Sequence, residues 1–372
     1  MKNLFHLLQI DLNFHNYKFT LLGFITAFVV TMICIPLLIS LLRKYHIYDL
    51  PGARKAHTSP VPSMGGIAII SGMIMALILW FPFAKQAQEI CFFLSMIILF
   101  ALGIMDDLKD LSARYKFLVQ LGLASLMAVS GLRITSLNGL FGIQELSLAA
   151  QYTLTVTAIV GVTNAFNLID GIDGLAGGLG FMSLVTVGIF LNMSGDPGMA
   201  LIAFALAGAM LAFLYFNFNP AKIFMGDTGS LVLGFVIAVL CIRLMQANSF
   251  VAQPVIHNIP VFVLGIVFIP VFDAVRVFAV RIWRGQSPFI ADNTHIHHLL
   301  TRAGASHSQA TRLICSLHGF ILMEVFWLRE LRQKYVLIIL LAIMTLATLL
   351  FRKAGFLFRK MESFRFFSFF KR

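Results

Sequence analysis

Residues 147–174 read SLAAQYTLTVTAIVGVTNAFNLIDGIDG. The run 147–168 is apolar and about as long as the roughly 20 residues a membrane-crossing helix needs. From Asn164 onward a polar group recurs at every third position, as Asn164, Asn167, Asp170 and Asp173. Residues three apart are neighbours on a helix. At about 100° per residue the row winds, so Asn164 and Asp173 would face opposite ways on an unbroken helix. Gly171 and Gly174 can release the backbone there and let the carboxylates turn back toward one place. Two amides and two acids at a membrane boundary have no packing role. The stretch therefore reads as a spanning helix that runs out into a polar site.

The rest of the chain supports that reading. It has 372 residues, 59% of them hydrophobic and 12% charged, where a water-soluble domain carries about 25% charged residues. The fold class expected is an all-α integral membrane protein, a polytopic bundle of about 11 transmembrane helices. The spans fall at 19–42, 65–83, 90–105, 116–130, 147–168, 175–193, 198–218, 229–246, 260–280, 310–328 and 335–351. Residues 1–351 form a single polytopic domain, and 352–372 a basic and aromatic tail lying on the membrane surface. The first apolar run, from near Phe19, is too long for a cleaved signal. Cys34, Cys91, Cys241 and Cys315 all lie in apolar runs without ligand spacing and read as buried small hydrophobes.

A net charge of +12 in a bundle of this kind does not point to nucleic acid. It reflects Lys and Arg gathered on cytoplasmic loops. Arg43, Lys44, Arg54 and Lys55 follow the first span, Lys109, Arg114 and Lys116 the third, and Arg281, Arg284 and Arg302 the ninth. The alternate loops are poor in cations, with Lys85 in one and Arg133 in another. This places the N-terminus outside and the C-terminus in the cytoplasm. One loop dissents: Arg329, Arg332 and Lys334 would lie outside.

Charge at a span boundary is costly and marks function, and four further clusters join the asparagine–aspartate row on the cytoplasmic side. Arg54-Lys55-Ala56-His57 precedes Pro60, Pro62 and Gly65-Gly66. It reads either as a basic topogenic loop or, through Lys55 and His57, as a contact for nucleotide or phosphate. Asp106-Asp107-Leu108-Lys109-Asp110 sets three carboxylates in a loop that should be positive. They suit either solvent or a metal–phosphate site, since Mg²⁺ takes hard oxygen ligands. Asn217 and Asn219 lead to Gly226-Asp227-Thr228-Gly229-Ser230, where Asp227 stands as a helix N-cap, a role compatible with metal binding. Finally, Asp292-Asn293-Thr294-His295 runs into His297-His298. Adjacent histidines without cysteine do not suit zinc, so phosphate-binding or acid–base histidines are expected. A secondary transporter would place its polar groups at the midplane between repeated halves, and no repeat is seen. Met225-Gly226-Asp227 lacks the first glycine of the intramembrane aspartyl protease motif.

Read together, R-K-A-H with P-x-x-G-G, D-D-L-K-D, N-A-F-N-L-I-D-G-I-D-G-L-A, F-M-G-D-T-G-S and H-I-H-H resemble the polyprenyl-phosphate N-acetylhexosamine-1-phosphate transferases. The resemblance runs from about residue 25 to 300. H-I-H-H is similar to the branch using UDP-GlcNAc or a related donor. The peptidoglycan branch, phospho-N-acetylmuramoyl-pentapeptide transferase, has three consecutive histidines, a run that Ile296 interrupts here.

The resemblance implies a bacterial inner-membrane enzyme whose site faces the cytoplasm. It would move N-acetylhexosamine 1-phosphate from a UDP-sugar to undecaprenyl phosphate and release UMP. The lipid-linked sugar would begin an O-antigen or wall polymer. The cofactor implied is Mg²⁺, with Mn²⁺ as a substitute, held by Asn167 and Asp227. Asp106 and Asp107 would lie by the lipid phosphate, and His295, His297 and His298 by the diphosphate and sugar. Lys55, Asn164, Asp170, Asp173 and Asn217 would line the nucleotide pocket. Expected partners are UDP-N-acetylhexosamine, undecaprenyl phosphate and membrane lipid, with a homodimer as candidate assembly. Direct attack by the lipid phosphate and a covalent carboxylate intermediate both stay open at this point.

Overall fold

The computed structural model describes residues 14–47, 61–84, 86–250, 254, 256–286 and 294–353. Arg54, Lys55, His57, Asp292, Asn293 and nearly all of the expected tail lie outside the described residues.

A helix stands at each of the eleven expected positions. They are α1 (Phe14–Lys44), α2 (Gly66–Trp80), α3 (Ala87–Lys109), α4 (Ala113–Val129), α5 (Leu148–Ile169), α6 (Leu175–Met193), α7 (Pro197–Asn217) and α8 (Gly226–Phe250). The ninth expected span is two helices, α9 (Ile259–Ile266) and α10 (Phe268–Trp283), and a short α11 (Ile296–Arg302) precedes α12 (His307–Trp327) and α13 (Gln333–Lys353). Among the described residues eight helices are long and apolar enough to cross a membrane, and nine if the bent α9–α10 pair is one span. The count of about eleven is thus not reached on length and apolarity. α2 has only 15 residues and α4 only 17, about 22 and 25 Å at 1.5 Å per residue.

The α9–α10 break has a chemical cause. The two helices meet at 80°, and Pro270 lacks the N–H that would otherwise bond the Ile266 carbonyl one turn earlier. In lipid an orphaned carbonyl costs several kcal/mol. The Ser183 hydroxyl of α6 donates to it at 2.7 Å and lies 3.2 Å from His318 Nε2 of α12. With its proton given to Ile266, Ser183 takes the His318 N–H as acceptor.

At the centre stands α8. In its most apolar stretch 94% of residues are buried, against 22% for α1 at the periphery, as expected of a helix apolar all round. Its N-terminus is approached very closely by α2 and α3. A Cβ on Gly66 would come within 2.2 Å of the Gly229 nitrogen, and one on Gly103 within 2.4 Å of Thr228 Cα. Only glycine allows backbones this near. The P-x-x-G-G segment also bonds to the stretch before α8: Gly65 N donates to Phe224 O at 2.8 Å, Gly66 N to Met225 O at 2.9 Å, and Phe224 N to Pro62 O at 2.8 Å.

The sequence reading made the bundle all-α, and one small departure appears between α4 and α5. Strands β1 (Ser136–Leu140) and β2 (Ile143–Glu145) form an antiparallel hairpin, with Leu140 opposite Ile143. The two residues between, Phe141 and Gly142, both have positive φ (56° and 80°), as a tight two-residue hairpin turn requires. The hairpin lies at the end of the bundle away from the Gly66–Gly229 contact, where Gln333 Nε2 donates to Asn138 O. At that far end Arg243 pairs with Asp196 at 2.6 Å. The four cysteines are free, as expected, but only Cys241 is fully buried; the others are half-buried.

Candidate active site

The polar residues converge on the N-terminus of α8. Asp227 lies in its first turn, and each of its carboxylate oxygens has a partner from another helix. Asn167 Nδ2, on α5, donates to Asp227 Oδ1 at 3.0 Å and to Ser230 Oγ at 2.9 Å. Lys116 Nζ, on α4, donates to Asp227 Oδ2 at 2.8 Å and to Asp106 Oδ2 on α3 at 2.7 Å. The other Asp106 oxygen accepts from Leu111 N at 2.7 Å. Four helices thus meet through one ammonium and two carboxylates.

Asp107, next in sequence to Asp106, points the other way. Its Oδ1 accepts from Asp227 N at 2.8 Å, and its Oδ2 from Thr228 N at 3.0 Å and from the Thr228 hydroxyl. These are the orphan donors of a helix start, which also carries the positive end of the helix dipole. The cap expected of Asp227 is therefore supplied from α3 by Asp107. The adjacent carboxylates have separate tasks.

Asp170 ends α5 as its C-cap. It keeps some accessible surface, yet protein crowds it. Burial first, then the negative fields of Asp227, Asp107 and Asp173, push its carboxyl up to about 7. Asp173 and Asn217 brace the loop that follows. Asn217 Oδ1 accepts from Gly174 N at 2.8 Å while its Nδ2 donates to Ile223 O at 2.9 Å. Asp173 Oδ2 accepts from Ala221 N at 3.1 Å, its Oδ1 lies 3.5 Å from His307 Nδ1, and its carbonyl accepts from Thr311 Oγ1 at 2.7 Å. Asn164 lies a turn deeper, donating to Gln120 Oε1 and Val160 O. Asn217 and Asn164 thus spend amide groups on protein partners.

The histidine motif reaches the same loop from α10 and α11. His295 Nδ1 lies 2.8 Å from Asp273 Oδ2. The other Asp273 oxygen accepts from Ile296 N at 3.0 Å and Arg276 Nη2 at 2.6 Å. A carboxylate on Nδ1 fixes that nitrogen as the donor and leaves Nε2 as the outward one. His297 packs on the backbone at Gly171, where a Cβ would come within 2.3 Å of its Nε2. Burial first, then His298, brings His297 down to about 3. Burial thus holds His297 in its neutral form. His298, half-buried, is the most open of the three.

The structure therefore brings together Asp106, Asp107, Asn167, Asp170 and Asp227, with the histidines across Gly171. Two contributors were missed in the sequence. Lys116 counted only as a loop charge, although with Arg114 it stands in the first turn of an apolar run, a few residues after three acids. Asp273 is a single acid inside an apolar run, and a charge in a span is itself a signal.

For Mg²⁺, the donors at hand are hard oxygens of the right class, and an ammonium already stands between two of the carboxylates. Among the described residues no three His, Cys, Asp or Glu side chains form a metal cage. An ion here would complete its shell with water and substrate phosphate, as Mg²⁺ commonly does.

A polytopic bundle with acids, amides and one lysine gathered at a single end is the setting of a membrane-embedded transferase, and a family model described as Glycosyl transferase family 4 matches residues 89–245. The chain belongs to this family, in the branch of the undecaprenyl-phosphate N-acetylglucosaminyl 1-phosphate transferases. It is 36% identical over 300 residues, 80% of this chain and 82% of the relative, to a probable undecaprenyl-phosphate N-acetylglucosaminyl 1-phosphate transferase of Bacillus subtilis. It is 36% identical to the undecaprenyl-phosphate alpha-N-acetylglucosaminyl 1-phosphate transferase of Yersinia pestis, over 73% of this chain and 74% of the relative. The Escherichia coli K12 protein of the same name is 34% identical over the same shares.

Proposed function

We propose that the protein transfers N-acetylglucosamine 1-phosphate from UDP-GlcNAc to undecaprenyl phosphate and releases UMP. The relatives carry this activity in their names. The observation that carries it on this chain is the bridge from Lys116 to Asp106 and Asp227. The reaction faces the cytoplasm across the inner membrane of a bacterium, where the loop cations gather. Its product begins an O-antigen or wall polymer.

Two anions must meet, so repulsion is the main barrier. An oxygen of the lipid phosphate attacks the sugar-bearing phosphorus of the donor, and the bond to the UMP oxygen breaks. Asn167 and Asp227 would hold Mg²⁺, which when bound screens the diphosphate and the departing UMP. Lys116 adds a fixed positive charge at the same place, preorganised by its carboxylates. The lipid phosphate, with a second pKa near 6, is largely dianionic at neutral pH and needs no strong base. Both Asp107 oxygens are engaged by α8, which leaves Asp106 to orient the acceptor through Lys116. A carboxylate paired with an ammonium is a poor nucleophile, so direct attack is favoured over a covalent intermediate. His295, held by Asp273, offers Nε2 toward the donor phosphates.

The test is transfer of label from radioactive UDP-GlcNAc into organic-soluble product by purified protein with undecaprenyl phosphate and Mg²⁺. EDTA and Asp227→Ala are the controls. Label and UMP appearing only with metal and the unaltered protein support the reading. Transfer only from UDP-MurNAc-pentapeptide moves the protein to the peptidoglycan branch, and no transfer from either donor overturns it.

A further inference from the structure

At the far end, the α12–α13 turn, the β1–β2 tip and the start of α9 enclose a cleft of about 550 Å³. Arg329, Arg332 and Lys334 line it, with Glu330 as the acid beside them, 3.5 Å from Arg329. Loops at this end are otherwise poor in cations. A topogenic role works against such a cluster, because Lys and Arg near span ends hold a loop on the cytoplasmic side. Its cations therefore call for an anionic ligand.

Two further features say which kind. Asn258, only 2% exposed, donates its amide to Leu328 O, and Gln333 donates to Asn138 O. The carbonyl oxygens of both side chains are buried with no hydrogen-bond partner, and both residues line the cleft. Buried acceptors left unpaired are costly unless a ligand donates to them. Phe141 lines the cleft and is 71% exposed, and Trp327 and Tyr335, 75% and 49% exposed, flank the α12–α13 turn in the chain. Aromatic side chains gather at headgroup depth at the ends of spans.

We propose that this cleft holds the headgroup of an anionic phospholipid of the phosphatidylglycerol type, in the leaflet away from the active site. The phosphate accepts from Arg329, Arg332 and Lys334, and the glycerol hydroxyls donate to Asn258 Oδ1 and Gln333 Oε1. The exposed aromatic side chains of Phe141 and of the turn's flanks, Trp327 and Tyr335, select a lipid over a soluble phosphate.

The experiment is native mass spectrometry of the full-length protein in detergent. It is titrated with phosphatidylglycerol, with phosphatidic acid and phosphatidylcholine of the same chains, and with glycerol 3-phosphate. The unaltered protein should retain phosphatidylglycerol over phosphatidylcholine. Arg332→Gln with Lys334→Gln should weaken that binding on the order of thirtyfold, with sugar-phosphate transfer unchanged as proof of folding. Gln333→Leu should erase the preference for phosphatidylglycerol over phosphatidic acid, which lacks the hydroxyls. Equal binding to the unaltered and doubly substituted proteins overturns the proposal. So does phosphatidylcholine bound as tightly, or glycerol 3-phosphate displacing the lipid at equal concentration.

Discussion

Lys116 stands 2.7 Å from Asp106 and 2.8 Å from Asp227, so one ammonium ties the end of α3 to the start of α8. Those residues lie 10 and 111 positions from it in sequence. The two acids have a cation between them, and the proposed reaction calls for one at the same point.

Replacing Lys116 by Met removes that charge while keeping most of the side chain's bulk. The turnover number should fall on the order of a hundredfold or more, the usual effect of losing a preorganised electrostatic group. Lys116→Arg should restore part of it. Steady-state transfer of sugar phosphate is the measurement, and a Met variant with undiminished turnover would remove Lys116 from the mechanism.

Asp106 and Asp107 should separate cleanly. Asp107→Ala strips the cap from α8, a change of about 1–2 kcal/mol, and should lower the melting temperature. Asp106→Asn should leave the melting temperature close to that of the unaltered protein and depress turnover. Thermal melts and kinetics on the same preparations decide it. Equal effects of the two substitutions on both readouts would contradict the division of labour.

Asp273→Asn keeps the size of the side chain but can present its amide to His295 Nδ1 and reverse the imidazole's tautomer. Turnover should drop about tenfold or more, with the donor KM little changed. Adding His295→Gln to Asp273→Asn should cost nothing further, because coupled residues are not additive. Fully additive losses would mean that Asp273 acts elsewhere.

Asp170 gives a pH signature without metal. Its folded value of about 7 lies above the unfolded value near 4. Its contribution to stability is therefore complete below the unfolded value and is lost as pH rises through the folded one. In EDTA the protein should melt at a lower temperature at pH 8 than at pH 6. Asp170→Asn should flatten that difference. An unchanged slope in the variant would assign the effect to another group.

Much of this architecture was legible in the sequence because apolar runs and span-end charges are local signals. The row from Asn164 to Asp173 and the run from Gly226 to Ser230 meet in the structure, where Asn167 bonds Asp227 and Ser230. What stayed hidden depends on contact. Nothing in the order Asp106-Asp107 tells which acid caps a distant helix and which pairs with a lysine. Lys116 became interesting only when α4 was placed beside α8. The hairpin at Phe141-Gly142 falls in the loop between the expected spans 116–130 and 147–168, its strands too short to show as an alternation, and the burial of His297 against Gly171 is likewise a matter of contact.

The break between α9 and α10 carries a consequence for descent. Pro270 withholds an N–H from Ile266, and the Ser183 hydroxyl on another helix supplies the missing bond. Neither change is neutral alone: a hydroxyl lost from position 183 strands a carbonyl, while a proline lost from 270 leaves the hydroxyl redundant. The two sites should drift as a pair among related chains. Serine or threonine should persist at 183 wherever proline holds 270, with apolar residues admitted where it does not.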